Sequence, residues 1–339
     1  MAAAMLERAL RHYWHPVAVS TDVTTEPQQA RLLGEPIVLY RDAEGPVALR
    51  DKCVHRGAAL SRGCIRDGQL MCPYHGWQYD RTGRVSFIPA LGPDGAIPSQ
   101  ARVQRHRVRE QYGAVWVALD EPVADLPPWP DDDWNDPDRR VFMVGTWRWQ
   151  ASAGRMMENA ADFAHFNFVH AGFTELADGP FIKPFEIEFT DDGMTYAYDD
   201  TVLVREYTLH LPFALHDRKS VVAATGGITW SEQGDSRAGD ITTISSVASP
   251  TDRTETLIFV YLSRNHSLDL PDEDFAVGFD EIMDQDRMVV EDQDPLELPL
   301  DPRQELHLKL ADGASLVYRR LMRELAASVP ASLSSPPNT

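Results

Sequence analysis

The sequence predicts an α+β fold divided into two domains. Three observations carry that prediction. The first part of the chain is built from short alternating apolar and polar runs separated by turn residues. A stretch crowded with prolines and acids follows, and after it strand-period and helix-period segments are mixed. A chain of 339 residues is also long for one core and suits two.

The elements follow in order. "MAAAMLERALRHYWHP" starts as a charged helix without the uninterrupted apolar centre of a signal peptide. "PIVLYRDAEGPVALR" is a strand, a turn at Glu44-Gly45 and a second strand; "VQRHRVREQYGAVWVAL" repeats the pattern with its turn at Tyr112-Gly113. Glu121 to Asp138 holds seven acids and five prolines in eighteen residues, which excludes a regular element and marks the domain connection. Residues 155–173 look helical. "FEIEFTDDGMTYAYDD" is a hairpin turning at Asp192-Gly193, and strand-like runs follow near 220–231, 240–249 and 257–263. Helices are expected over about 273–290 and 313–327. The expected boundaries are 10–120 for the first domain, 121–140 for the link, 141–327 for the second domain and 328–339 for a disordered tail.

Bulk chemistry narrows the partners. A net charge of −20 argues against nucleic acid or an anionic membrane surface, and no apolar run is long enough to cross a bilayer. A cytoplasmic protein is expected. Between 50 and 66 the balance reverses: Arg50, Lys52, Arg56, Arg62 and Arg66 face one acid, Asp51. That patch is either a docking surface for an acidic redox partner or an ordinary solvated face.

Three cysteines cannot form a disulfide framework. Two of them stand in "CVHRGAALSRGCIRDGQLMCPYHGW", where Cys53 and His55 make one arm and Cys72 and His75 a second. Cys64 has no spaced partner. Structural zinc usually joins a pair of cysteines to a pair of histidines. Here each arm carries one of each, which suits a binuclear [2Fe–2S] centre with Cys53 and Cys72 on one iron and His55 and His75 on the other. Trp77 either packs beneath the cluster or is a core indole.

A second constellation lies in "ENAADFAHFNFVH", with Glu158, Asn159, Asp162, His165 and His170. Two histidines and a carboxylate form the facial set that binds ferrous iron and leaves positions open for dioxygen. Five residues correspond to about 140° around a helix, so convergence of the two histidines requires the segment to unwind or carry a wide turn between them. The carboxylate comes from the late helix. Its apolar face runs through Phe275, Phe279, Ile282, Met283, Val289 and Val290, and the inward position in that series carries Asp286. A buried carboxylate must be paired or bind a metal.

The two arms, "CPYHGWQYD" and "HRGAAL", together with Asn159, Asp162, His165, His170 and the late "DQDRMVVE", resemble the Rieske non-heme iron oxygenases over about residues 10–325. The chain is most similar to their short monooxygenase-type alpha subunits, among them vanillate and dicamba demethylases, caffeine N-demethylases and saxitoxin-pathway hydroxylases. That resemblance implies a Rieske β-sandwich followed by a helix-grip catalytic domain. It implies a head-to-tail homotrimer in which electrons pass from His75 of one subunit through Asp162 of the next to His165 and the iron, with Asn159 near the iron. It also implies O2 as co-substrate and an aromatic or heterocyclic small molecule to be hydroxylated, demethylated or cis-dihydroxylated. NAD(P)H acts only through a separate flavin or iron–sulfur reductase or a ferredoxin, because the chain has neither the cysteines for a second cluster nor a Gly-x-Gly-x-x-Gly turn. Phe173, Leu176, Phe213, Leu215, Phe259 and Ile282 are the expected apolar pocket walls. Two rival readings are an electron-transfer protein whose second domain only binds a partner, and a zinc-stabilised binding module.

Overall fold

The computed structural model describes residues 2–172, 174–177, 179–222 and 237–328. Two compact units emerge, Arg11–Asp125 and the described residues of Met1–Leu10 with Leu126–Thr339.

The first unit is built on strands joined by loops and short 3-10 turns: β1 His15–Val19, β2 Gln28–Leu32, β3 Glu35–Asp42, β4 Gly45–Arg50, β5 Cys64–Arg66, β6 Gln69–Met71, β7 Gln78–Tyr79, β8 Val85–Phe87, β9 Arg107–Gln111 and β10 Ala114–Ala118. They pair as three antiparallel sheets, β1-β10-β9, β2-β3-β4 and β5-β6-β7-β8. The run "IVLY" in β3 is apolar without a break because both of its faces are buried. Ile37 and Leu39 join Val17, Leu32, Val115 and Val117 on one side. Val38 and Tyr40 join Leu49, Leu60, Leu70 and Tyr79 on the other, in the same cluster as Cys53 and Cys72. Burying each of these side chains is worth about 1.5–3 kcal/mol, and the cysteine loops rest on the second of these clusters. The β9–β10 turn has Tyr112 and Gly113 both at positive φ, 54° and 68°, which is the twist a two-residue hairpin needs.

The second unit begins with α1 Ala2–Leu10, which packs against the last helix, α6 Gly313–Ser328. Between them lie β11 Arg140–Trp149, α2 Ala153–Ala160, α3 Phe166–Val169, β12 Ile187–Phe189, β13 Gly193–Asp199, β14 Leu203–His210, β15 Ala214–Val221, β16 Ile241–Asp252, β17 Glu255–Arg264, α4 Glu273–Ala276 and α5 Phe279–Glu291. The strands form one antiparallel sheet, ordered β11-β17-β16-β15-β14-β13-β12. Helix α2 lies against β15, β16 and β17, and α5 against α2 and β11. Among the described residues no helix is long and apolar enough to cross a membrane.

Several expectations change. The 155–173 helix is two helices. Asp162 takes the backbone N–H groups of Ala164 and His165 on its carboxylate, which offers the chain a local alternative to continuing α2. The 273–290 helix breaks at Gly278, whose φ of 87° leaves the helical region. The connection contains a 3-10 turn, Pro130–Asn135, started by a proline that needs no donor there. Of the strand expected near 220–231 only Ser220 and Val221, the end of β15, fall in a described strand; residues 223–236 and the tail 329–339 lie outside the described residues. Strand β14 was not anticipated, because its inward series Leu203, Arg205, Tyr207, Leu209 carries a cation at a core position.

Candidate metal centres

The two cysteine loops are built alike. The Cys53 N–H donates to the carbonyl of Ala58, and its own carbonyl accepts from Gly57. Cys72 donates to Trp77 and accepts from Gly76 in the same way. The glycines sit at φ of 73° and 69°, a region an L side chain adopts only with strain, so each loop turns back on its cysteine within four residues. The histidine falls two residues after the first cysteine and three after the second, yet both loops present it on the outer side. The cysteines are buried, His55 is half-buried and His75 exposed.

The donor set fits a Rieske cluster. Both thiols are free. Burial raises the Cys72 pKa, against the lowering effect of the Tyr74 and Tyr-adjacent His75 backbone amides. His55 Nδ1 is buried with no hydrogen-bond partner, an orphan that a metal would satisfy. Burial first, then His75 and Arg56, lower the His55 pKa, keeping the neutral ring that ligation requires. The Tyr79 hydroxyl lies 3.1 Å from Cys53 Sγ and accepts from the Val54 N–H. The Trp77 ring stacks on His55 at 4.7 Å and 5° and packs, partly buried, against the core. Cys64 is exposed at the start of β5.

In the second unit His165, His170 and Asp286 offer three ligand atoms that all lie within 4.8 Å of one another. Asp286 Oδ1 is 3.5 Å from His165 Nε2 and 3.1 Å from His170 Nε2. It is buried without hydrogen-bond geometry to any donor. Two imidazole nitrogens beside an unsatisfied carboxylate oxygen fit a divalent metal better than they fit each other. The segment neither unwinds nor widens between the histidines, contrary to the sequence expectation. Val169 donates to His165 and His170 to Phe166, so α3 is a regular turn with one histidine at each end. The imidazoles are long enough to bend toward Asp286 from both sides of that turn.

Each histidine is held from behind. His165 Nδ1 is 2.9 Å from Asp162 Oδ2, and His170 Nδ1 is 2.8 Å from Gln285 Oε1. These partners accept a proton on Nδ1 and leave Nε2 bare toward Asp286. Burial opposes charging of His170, but Asp286 and Gln285 outweigh it and raise its pKa. Gln285 escaped the sequence reading; its only signal was its place beside Asp286. On α5, Asp286 is in phase with the buried Phe279, Met283 and Val290, as the periodicity implied, whereas Val289 is 47% exposed and off that face. Glu158 faces away from the centre and pairs with Arg319 and Arg155, which Glu305 also contacts.

The triad opens on a cavity of about 100 Å3, lined in part by Asn159, His165, His170, Leu215, Ile282 and Asp286. Of the expected walls, Leu215 and Ile282 are there. Leu176, Phe213 and Phe259 are not: all three are buried elsewhere in the core. Phe259 fails because strand side chains alternate, and its neighbour Val260 takes the cavity side of β17. Phe173 lies outside the described residues. Missed were Met156, Phe279 and Met283 and, among polar groups, Thr174, Asp217, Lys219 and Ser246.

An electron-storing donor set in a β domain, followed by a two-histidine, one-carboxylate set at a cavity, defines an oxidoreductase of the Rieske oxygenase class. The comparisons with known proteins agree. A Rieske [2Fe–2S] domain matches residues 13–107, and a vanillate O-demethylase oxygenase C-terminal domain matches residues 149–328. The methylxanthine N1-demethylase of Pseudomonas putida is 31% identical over 93% of this chain and 89% of its own length. The methylxanthine N3-demethylase of the same species is 32% identical over 94% and 90%. A solved structure of the Pseudomonas putida N1-demethylase QL mutant with theobromine superposes with a TM-score of 0.82 at 31% identity, covering 95% of this chain and 92% of that one. The chain belongs to the Rieske non-heme iron oxygenases, as an oxygenase alpha subunit. Its cofactors are the family's [2Fe–2S] cluster and mononuclear Fe(II), with O2 as co-substrate. The readings as a bare electron carrier and as a zinc module fall away with the match to an oxygenase C-terminal domain.

Proposed function

We propose that this chain is the terminal oxygenase that hydroxylates, or oxidatively demethylates, an aromatic or heterocyclic small molecule, with Cys53, His55, Cys72 and His75 holding the cluster and His165, His170 and Asp286 the ferrous iron. The convergence of the last three on a largely apolar cavity carries the reading. When bound, the cluster supplies single electrons and the iron supplies open positions for dioxygen. The chain's residues do the rest. Met156, Phe279 and Met283 exclude water from the reacting substrate. Asp162 and Gln285 hold the two imidazoles in the Nδ1–H form. Asn159 lines the cavity near the iron ligands.

The test supplies a generic reductase, NADH and a panel of methoxy- and N-methyl-substituted aromatics, following oxygen uptake, formaldehyde and product mass. Formaldehyde in step with oxygen uptake is the expected result and marks demethylation. Gain of one oxygen marks hydroxylation and gain of two hydroxyls a cis-diol. Oxygen uptake that no substrate stimulates would defeat the reading.

Replacing Gln285 by Leu is expected to weaken ferrous binding about 10–100-fold, the usual cost of losing a ligand's hydrogen-bond partner. Titration of iron into metal-depleted protein measures it, and Gln285→Glu should restore binding.

Electrons enter from outside, and the reading places that step on the cluster unit. Arg50, Lys52, Arg56, Arg62 and Arg66 are all exposed, while Asp51 is buried and occupied by Ser61 and Gln29. The face is thus more basic than the sequence count implies and complements an acidic reductase or ferredoxin. Reversing Arg56 and Arg62 to Glu should slow reductase-driven turnover about tenfold or more at low salt and spare turnover driven by hydrogen peroxide. Equal loss in both assays would remove docking from the account. The reading also includes a head-to-tail homotrimer, in which Asp162 meets the partner subunit's His75; light scattering that reports a monomer would exclude it.

A further inference from the structure

Two thioethers stand in the wall of the cavity that the iron ligands share. Met156 comes from α2 and Met283 from α5, and both line the cavity together with His165, His170 and Asp286. Helical spacing puts them there. Met283 precedes Asp286 by three residues on α5, and Met156 precedes Asn159 by three on α2, so each methionine shares a helix face with another cavity residue. Both are nearly closed to bulk solvent, at 3% exposure for Met156 and 7% for Met283. The space they face is about 100 Å3, so oxygen activated at the triad meets this wall without first crossing solvent.

The wall is chemically uneven. Leu215 and Ile282 offer it only C–H bonds, and Phe279 and Trp149 aromatic rings. A thioether offers a sulfur lone pair, takes up an oxygen atom without breaking any bond of its own, and becomes a sulfoxide. A bound substrate competes for that atom. In an empty cavity the two thioethers are the readiest acceptors.

Resting on the oxygenase reading of the same site, we infer that Met156 and Met283 are the residues this enzyme oxidises in itself when it consumes dioxygen without a substrate, and that the sulfoxides then weaken substrate binding. The balance is that of an oxygenation with the thioether in the substrate's place. Dioxygen gives one atom to sulfur, forming the S–O bond, and the other leaves as water. Two electrons from the reductase and two protons from solvent complete the step, with sulfur oxidised by two electrons and dioxygen reduced by four. A sulfoxide is polar where the thioether was apolar and adaptable. In a wall that keeps water from the reacting substrate it draws water in and disfavours an apolar ring.

The experiment incubates the full-length, iron-loaded protein with reductase, NADH and isotopically labelled dioxygen, with catalase and without substrate. Peptide mass spectrometry then maps the oxygen gained at each methionine. Met288 and Met5 are internal controls. Met288 lies five residues beyond Met283 on α5 but faces outward, at 64% exposure, and Met5 is 42% exposed. Oxidant diffusing in solution attacks by exposure, whereas oxygen activated within the cavity reverses that order. Met156 or Met283 is expected to gain labelled oxygen about tenfold faster than Met288, and Asp286→Ala, which removes an iron ligand, to abolish that gain. Met156→Leu and Met283→Leu conserve volume. Combined, they should keep substrate-stimulated oxygen uptake through the incubation, while native protein loses it in step with the sulfoxide. If the Leu variants fail to fold, the map of the native protein decides alone. Oxidation of Met288 and Met5 first, unlabelled oxygen at the cavity methionines, or a gain that persists in Asp286→Ala would overturn the inference. So would equal loss of uptake in native protein and folded Leu variants. No gain at Met156 or Met283 in protein whose oxygen uptake methoxy- or N-methyl-aromatics still stimulate would overturn it and leave the oxygenase reading intact.

Discussion

Asp286→Ala is expected to empty the mononuclear site and abolish turnover while the cluster remains. The carboxylate is the common neighbour of both histidines, at 3.5 and 3.1 Å, and no other acid joins them among the described residues. Removing it leaves two neutral imidazoles and no charge to offset a divalent ion. Iron should fall from about three to about two per chain, with the visible absorbance and reduced-state electron resonance of the Rieske centre unchanged. The folded state should survive, because Asp286 is a desolvated acid in the metal-free chain and its loss relieves that cost. Iron that stays near three per chain would mean that His165, His170 and Asp286 do not hold it.

The second large effect is expected of Asp162→Asn. Asp162 does two things in this structure: it caps the turn that leads into α3 by accepting the N–H groups of Ala164 and His165, and it holds His165 Nδ1. Asn caps helices about as well as Asp, so the substitution preserves the first role and removes the charge from the second. If capping were its whole contribution, the variant would behave like the native enzyme. If the carboxylate connects the two centres across subunits, turnover driven by NADH should fall about 100-fold or more, with peroxide-driven turnover and iron content much less affected. Stopped-flow measurement of cluster oxidation in the presence of substrate separates the two, since only loss of the connection slows that step.

The centres differ in how far they could be read without coordinates. Cys53, His55, Cys72 and His75 lie within one short stretch, and the glycines that close the loops stand four residues after each cysteine. Spacing alone therefore carried the donor set. The second centre was legible in its ligands but not in its shape. Asp286 was found because a carboxylate interrupts an apolar face, and that periodicity held on α5 even though Gly278 breaks the helix upstream. The way His165 and His170 meet was misread, since helical angle was taken for direction and the reach of the rings was left out. Of the expected pocket walls that are described, Leu215 and Ile282 line the cavity. Apolar type identifies burial, but it does not say which cavity or which face of a strand a side chain serves.

What the amino-acid order determined by itself is therefore local: two matched loops, a helix start bearing two histidines, one acid out of place on an apolar face. Each depends on separations of a few residues, which backbone geometry turns directly into positions. What only the folded chain decided is everything that needs distant strands to meet. Gln285 reaches His170 across 115 positions. Arg205, Asp217 and Lys219 become one charged group because β14 pairs with β15 in a particular register, and a slip of β14 by one residue would put Arg205 on the other face of the sheet. Short-range sterics are written into every peptide, whereas register is chosen by the total burial of the sheet, which no single stretch contains.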